Sequence, residues 1–205
     1  YDVTPQLQKE NAIGVILGNG RFYTMRQNYK PYKIPTFGYP KLRLNLIIEY
    51  TDGSRQTIAS DISWKLTTEG PIRSKNEYDG EEYDARKELG DWNRTGYDDT
   101  NWIPAGRVSI PSGTLRAQMM PGMKVTESLK PVSIRKQGDK HILDIGQNMA
   151  GWLRIRIKGQ AGDSIRLRFA ERLQADGEIF TKNLRDAHCT DIYLSLIHIS
   201  EPTRL

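Results

Sequence analysis

The chain of 205 residues has one cysteine, Cys189, so an intramolecular disulfide is excluded. Its three histidines, His141, His188 and His198, are dispersed, and no Cys/His spacing of the kind that holds zinc is present. No apolar run approaches the ~20 residues of a membrane-spanning helix, and mean hydropathy is −0.63. The chain is read as having no membrane partner. It also lacks a glycine-rich dinucleotide fingerprint, a phosphate loop, a His-Glu-x-x-His zinc motif and a nucleophile elbow. Nucleotide, zinc-peptidase and serine-hydrolase chemistry are therefore unsupported. The 30 Lys+Arg against 25 Asp+Glu leave a net +5, dispersed rather than gathered into a basic run, which argues against a nucleic-acid partner.

What is present is a globular composition, 37% hydrophobic with charges of both signs, enough for one large or two small domains. The dominant pattern has period two. Leu42, Leu44, Leu46, Ile48 and Tyr50 alternate with Lys41, Arg43, Asn45 and Glu49, which predicts a half-buried strand. Asp52-Gly53 follows, a pair that tolerates the positive φ of a tight hairpin turn, and Arg55–Ser60 is the predicted return strand. Asn11–Leu17 and Trp64–Thr68 are further predicted strands. Between Gly70 and Pro121, Gly, Pro, Asp, Asn and Tyr dominate, predicting long loops joined by short strands. Only Asp84–Leu89 has helical character.

Regular alternation resumes after Glu127 with Val132 and Ile134, then Ile142–Ile145, placing a domain boundary near residue 128. Leu153, Ile155 and Ile157 alternate with Arg154, Arg156 and Lys158. Beyond Gly159–Gly162, Ile165, Leu167 and Phe169 alternate with Arg166 and Arg168. The expectation is a hairpin with one apolar and one basic face. Like charges opposite one another cost stability, so the basic face should meet carboxylates, Glu171 for example, or a neighbouring domain, or be an ordinary solvated face. The fold class is all-β, built of sandwiches.

The densest chemistry lies in Glu77-Tyr-Asp-Gly-Glu-Glu-Tyr-Asp84. Closely spaced carboxylates in a loop suit a hard cation such as calcium. Nearby Tyr78, Tyr83, Trp92, Tyr97 and Trp102 offer flat faces for a sugar ring, although such rings more often pack in the core. A glycosidase acid/base pair needs two carboxylates at defined separation, which composition cannot supply. The plain structural alternative is a turn at Asp79-Gly80 with the acids solvated or paired to Arg86 and Lys87.

The motifs add a resemblance. Tyr1-Asp-Val-Thr-Pro5, Asn11-Ala-Ile-Gly-Val15 and Leu17-Gly-Asn-Gly20 resemble the galactose-binding-like sandwich modules of bacterial glycosidases. Ser60-Asp-Ile-Ser-Trp-Lys65, Gly70-Pro-Ile72, Tyr78-Asp-Gly-Glu-Glu-Tyr-Asp-Ala-Arg86, Asp98-Asp-Thr-Asn-Trp102 and Leu115-Arg-Ala-Gln118 make residues 1–128 similar to the N-terminal domain of bacterial α-L-rhamnosidases, with its first strands missing. Lys130-Pro-Val132, Asp144-Ile-Gly-Gln-Asn-Met-Ala-Gly-Trp152, Ala170-Glu171, Asp176-Gly177, Asn183-Leu-Arg185 and Thr190-Asp191 make residues 129–193 similar to the next, concanavalin-like sandwich of that family, here incomplete. Residues 194–205 resemble a translated sequencing-adapter tail.

The resemblance implies a jelly-roll architecture and a parent enzyme that hydrolyses terminal α-L-rhamnose by inversion. The acid and base of that reaction would lie in a later (α/α)6 barrel, so no catalytic residue is carried over. It also implies a rhamnose-containing glycan or glycoside and the barrel of the same polypeptide as partners. Some members of the family carry a related sandwich that binds rhamnose through calcium. By that resemblance Asp79, Glu81 and Asp84 are candidate metal ligands, and Asp79, Glu81, Tyr83, Trp92 and Trp102 candidate sugar contacts. The alternatives are a calcium-dependent carbohydrate-binding module and purely structural docking domains, with Arg154, Arg156, Arg166 and Arg168 as the docking face. An incomplete second sandwich would leave an unpaired edge prone to aggregation. The chain starts at Tyr1 without an initiator Met, and cytoplasm, periplasm and exterior all fit.

Overall fold

The computed structural model describes residues 1–20, 22–23, 38–110, 112–114, 116–156, 160–195 and 203–204. Leu115 of the family motif, Ile157, Lys158 and Gly159 of the expected hairpin, and residues 196–202 and 205 of the expected tail, His198 among them, lie outside the described residues. Twelve strands and three 3-10 turns make up the described regular structure, an all-β fold. Among the described residues no helix is long and apolar enough to cross a membrane.

The first hairpin forms as its pattern dictates: β1 (Asn45–Glu49) pairs antiparallel with β2 (Arg55–Ala59). Gly53 takes φ +83° at the turn, where its N–H meets the Tyr50 carbonyl at 3.0 Å. Leu46 and Ile48 turn inward while Asn45, Ile47 and Glu49 are exposed. The expected strand at Trp64–Thr68 contracts to β3 (Lys65–Leu66). The expected helical turn at Asp84–Leu89 is only a 3-10 turn, Ala85–Lys87. Asn11–Leu17 is not a strand. It runs alongside Trp92, and a Cβ on Gly14 would lie 2.3 Å from the indole, so ring contact rather than a hydrogen-bond ladder holds it.

Two further strands, β4 (Ile72–Asn76) and β5 (Gly80–Asp84), form an antiparallel hairpin around Glu77–Asp79. The short β6 (Ile103–Pro104) pairs with β3, reinforced by Lys65 Nζ to Asp99 Oδ1 at 2.7 Å. The alternation after Glu127 becomes the hairpin β7 (Ser133–Gln137) and β8 (Lys140–Asp144), with Gly138 at φ +62°. The remaining strands are β9 (Arg154–Ile155), β10 (Ser164–Arg168), β11 (Thr190–Leu194) and β12 (Thr203–Arg204).

The largest sheet has four strands in the order β10-β11-β5-β4. Its centre is a parallel pairing of β11 with β5, Ile192 opposite Glu82 and Tyr193 opposite Tyr83. Strands more than 100 residues apart in sequence thus share one ladder, and residues 72–84 and 164–194 form one body. The expected hairpin of the Leu153 and Ile165 segments is corrected here: β10 takes β11 as its partner, while β9 pairs with β12. For β10 the exchange sets neutral residues opposite its arginines, Ile192 opposite Arg166 and Thr190 opposite Arg168, where an arginine-rich strand would set like charges; β9 gains no such relief, since Arg154 lies opposite Arg204. Leu194 and Ser195 continue this structure: the Ser195 N–H donates to the Asp163 carbonyl at 2.9 Å, and its own carbonyl accepts from Gly162 N–H at 2.9 Å.

Register sorts the side chains of this sheet onto two faces. Ile165, Tyr193, Tyr83 and Ile72 form one row of the inner face. The Tyr83 and Tyr193 rings stack at 5.5 Å with an interplanar angle of 8°, a contact worth about 1 kcal/mol beyond area burial. Tyr193 is 8% exposed and Ala85 3%, the apolar heart of the described structure. In contrast, the irregular stretch before β7 exposes Met119, Met120, Met123 and Val125.

Candidate functional site

The acidic stretch is where the two segments join. Asn76 begins a tight turn by accepting the Tyr78 and Asp79 N–H groups on its Oδ1, each at 2.9 Å, while its Nδ2 donates to Asp79 Oδ2 at 3.0 Å. The turn therefore points the Tyr78 and Asp79 carbonyls at the start of β11, where they accept the Cys189 N–H at 3.0 Å and the Thr190 N–H at 2.8 Å. Asp79 Oδ1 also accepts the His188 N–H at 3.2 Å and lies 3.8 Å from the His188 ring Nδ1.

Gly80 follows at φ +104°. A Cβ there would sit 2.2 Å from the Thr190 carbonyl oxygen, so only glycine permits the approach. Cys189, at φ +46°, carries backbone strain of about 1 kcal/mol. Bonds on both sides hold it, because its carbonyl also accepts the Phe169 N–H at 3.1 Å.

Each predicted site residue has a structural partner. Glu81 pairs with Lys75 Nζ at 3.1 Å, and its N–H donates to Asp191 Oδ1 at 2.9 Å. Burial, and then the nearby Glu81 charge, push the Asp191 carboxyl above its ordinary value, against the lowering effect of that same hydrogen bond. Asp84, 5% exposed, receives Arg86 through Nε and Nη2, both at 2.8 Å. The Arg86 hydrogen bonds hold its carboxyl down to about 2. Tyr83 donates its hydroxyl to Glu88, and burial followed by that bond pushes the phenol up.

Trp92 and Trp102 stack at 6.4 Å, and Tyr97 meets Trp102 edge-on at 5.8 Å. These half-buried rings pack on one another rather than beside the acids. Asp79, Glu81 and Asp84 are not gathered around a common point, and the Asp84 oxygens are filled by Arg86, so the trio does not fit a calcium ion. Among the described residues no group of three His, Cys, Asp or Glu side chains is placed to hold a metal.

What the structure does gather lies on the outer face of the four-stranded sheet. Register sets Arg166, Ile192 and Glu82 in one row across the strands, with Arg168 and Thr190 in the next. Together with Ser74, Asn76, Gly80, Asp79 and His188 they line an open groove of about 460 Å³. Both segments contribute to it. Sequence patterning located Arg166 and Arg168 on a basic face but missed Asn76, His188 and Asp191. The only local signal was the Asn76-x-x-Asp79 spacing of a side-chain-capped turn.

Two family models match successive parts of the chain. The family model described as alpha-L-rhamnosidase N-terminal domain matches residues 1–127, and that described as bacterial alpha-L-rhamnosidase concanavalin-like domain matches residues 134–196. An alpha-L-rhamnosidase of Formosa agariphila is 38% identical over 86% of this chain and 19% of its own length. One from Streptomyces avermitilis is 37% identical over 94% of this chain and 19% of its own. Among solved structures, the alpha-L-rhamnosidase of Dictyoglumus thermophilum superposes with a TM-score of 0.77 at 34% identity, covering 90% of this chain and 20% of that one. The Streptomyces avermitilis enzyme complexed with L-rhamnose gives a TM-score of 0.77 at 36% identity, covering 81% and 16%. The chain spans about a fifth of the length of the curated relatives it matches. With the N-terminal family model matched over most of its length, the chain belongs to the bacterial α-L-rhamnosidase family.

Proposed function

We propose that this chain is the non-catalytic N-terminal portion of an α-L-rhamnosidase, a structural platform for an enzyme that removes terminal α-L-rhamnose from glycosides. The observation that carries the reading is the shared sheet: the two family-matched segments meet through the β5–β11 ladder and are built as one support. The carboxylates at the seam serve that purpose, since Asp84, Glu81 and Asp79 hold Arg86, Lys75 and the N-terminal side of β11 respectively. The partners of this platform are the catalytic (α/α)6 barrel of the same polypeptide and, through it, a rhamnose-containing glycoside.

The test is release of p-nitrophenol from p-nitrophenyl α-L-rhamnoside by the purified chain. No release above background is expected, and turnover by the chain alone would contradict the assignment.

A further inference from the structure

We propose that the outer edge of β2 is a self-association site: a second copy of this chain adds its own β2 antiparallel, and two hairpins become one four-stranded sheet about a twofold axis at Thr57.

The β1–β2 hairpin is a sheet of two strands, with no third strand against it among the described residues. A hairpin of this kind is marginal in water, and independent stability takes three or more strands with an apolar face, or packing against a helix. The phase of its hydrogen bonds leaves the outer side of β2 open. The Ser60 N–H donates to the Leu44 carbonyl and the Tyr50 N–H to the Ser54 carbonyl, both at 2.9 Å, and the register pairs Leu46 with Ile58 and Ile48 with Gln56. Backbone groups alternate sides along an antiparallel strand, so Gln56 and Ile58 engage β1 while Arg55, Thr57 and Ala59 aim their N–H and C=O groups away from it. All five residues of β2 are exposed.

The edges of the four-stranded sheet are guarded and this one is not. Charge and irregular backbone keep edge strands from pairing. The outer strand β4 carries Arg73 and Lys75 and a register shift between Ile72 and Ser74. On β10, the Phe169 N–H bond to the Cys189 carbonyl and the Ser195 N–H bond to the Asp163 carbonyl turn the odd-numbered residues toward β11. Arg166 and Arg168 therefore hold the outer backbone groups, and pairing β10 with its own copy about Arg166 sets like charges together. In β2 the single charge is Arg55, and it is already paired with Glu49 across the hairpin.

Self-pairing about Thr57 is complementary residue by residue. It sets Thr57 opposite the partner's Thr57, Arg55 opposite the partner's Ala59 and Gln56 opposite the partner's Ile58, so no like charges meet. The residues with outward backbone groups face one another and close about six inter-strand hydrogen bonds, and a threonine pair is itself a favourable cross-strand pair. On the other face the row of Leu46 and Ile58 continues into the partner's Gln56 and Ile48. Ile58, 40% exposed in the single chain, thereby enters a continuous apolar face four strands wide.

The experiment is sedimentation equilibrium of the whole chain over a concentration series reaching about 500 µM, so that a weak association is read as a dissociation constant, with circular dichroism on each variant. The chain of 23.5 kDa is expected to convert with concentration to a species of twice that mass. Thr57→Pro removes an outward N–H that the hairpin does not use and should weaken the dimer at least about tenfold; Ile47→Pro, the matching change on the β1 edge, should leave it within about twofold. Thr57→Lys keeps the N–H but sets two cations at the axis, so the dimer should weaken at low salt and partly recover at high salt. A chain that stays monomeric throughout overturns the proposal, as does a dimer indifferent to both Thr57 variants. Loss of the dimer with Ile47→Pro in place of Thr57→Pro would overturn it in favour of the β1 edge, and growth beyond a dimer would contradict the closed twofold pairing. The hairpin lies outside the β5–β11 ladder, so the platform reading is tested separately.

Discussion

The environments of Asp84 and Asp191 push their carboxyls in opposite directions. Arg86 holds Asp84 down to about 2, below the ordinary aspartate value of about 3.9. Its contribution to stability is complete above the ordinary value and is lost as pH falls through about 2. Thermal midpoints of the parent and Asp84→Asn should therefore differ most at neutral pH and converge as pH approaches 2; a constant gap would contradict the pairing. Asp191 is raised, so the fold loses stability as pH climbs from the ordinary aspartate value through the raised one. Asp191→Asn keeps an acceptor for the Glu81 N–H and removes the partly buried charge, so its midpoint at pH 7 should equal or exceed that of the parent. Asp191→Ala leaves that N–H unpaired and should cost about 1–3 kcal/mol in denaturant unfolding. If Ala and Asn behave alike, the 2.9 Å bond is not contributing.

Among the elements, the local ones were legible and the seam was not. An Asp-Gly pair between alternating runs predicts the β1–β2 hairpin because both the turn and the register are encoded within sixteen residues. The β7–β8 hairpin is similarly local. The parallel pairing of β5 with β11 has no local signature, because its partners lie more than 100 residues apart and its key position is one glycine. The same non-local choice displaced the expected hairpin of the two arginine-rich strands. The acidic stretch shows how a composition signal misleads. Spacing alone placed Asp79, Glu81 and Asp84 in one loop, but β5 is a strand that sends alternate residues to opposite faces, and each acid finds a basic or backbone partner of its own. Gly80→Ala tests the element directly: the added methyl meets the Thr190 carbonyl in a conformation unfavourable to alanine. A loss of about 3 kcal/mol is expected from strain and displaced pairing, visible as a lower denaturation midpoint, whereas Gly53→Ala at the open β1–β2 turn meets no atom within 4 Å and should cost only about 1 kcal/mol for its positive φ.

At the scale of the whole molecule, the N-terminal and concanavalin-like segments share one four-stranded sheet, β10-β11-β5-β4, and Met119, Met120, Met123 and Val125 are exposed apolar side chains between them in sequence. A fluorescent probe of apolar surface should bind the native chain measurably, and Met123→Ser with Met119→Ser should reduce that signal without shifting the thermal midpoint, since both side chains are more than 90% exposed. The most direct measurement is amide hydrogen exchange on the intact chain, followed separately in residues 78–84 and 188–194, in the parent and in Gly80→Ala. The account predicts that the two stretches are protected together in the parent and lose protection together in the variant. If residues 188–194 keep their protection when Gly80→Ala exposes residues 78–84, the two segments are independent and the single platform is contradicted.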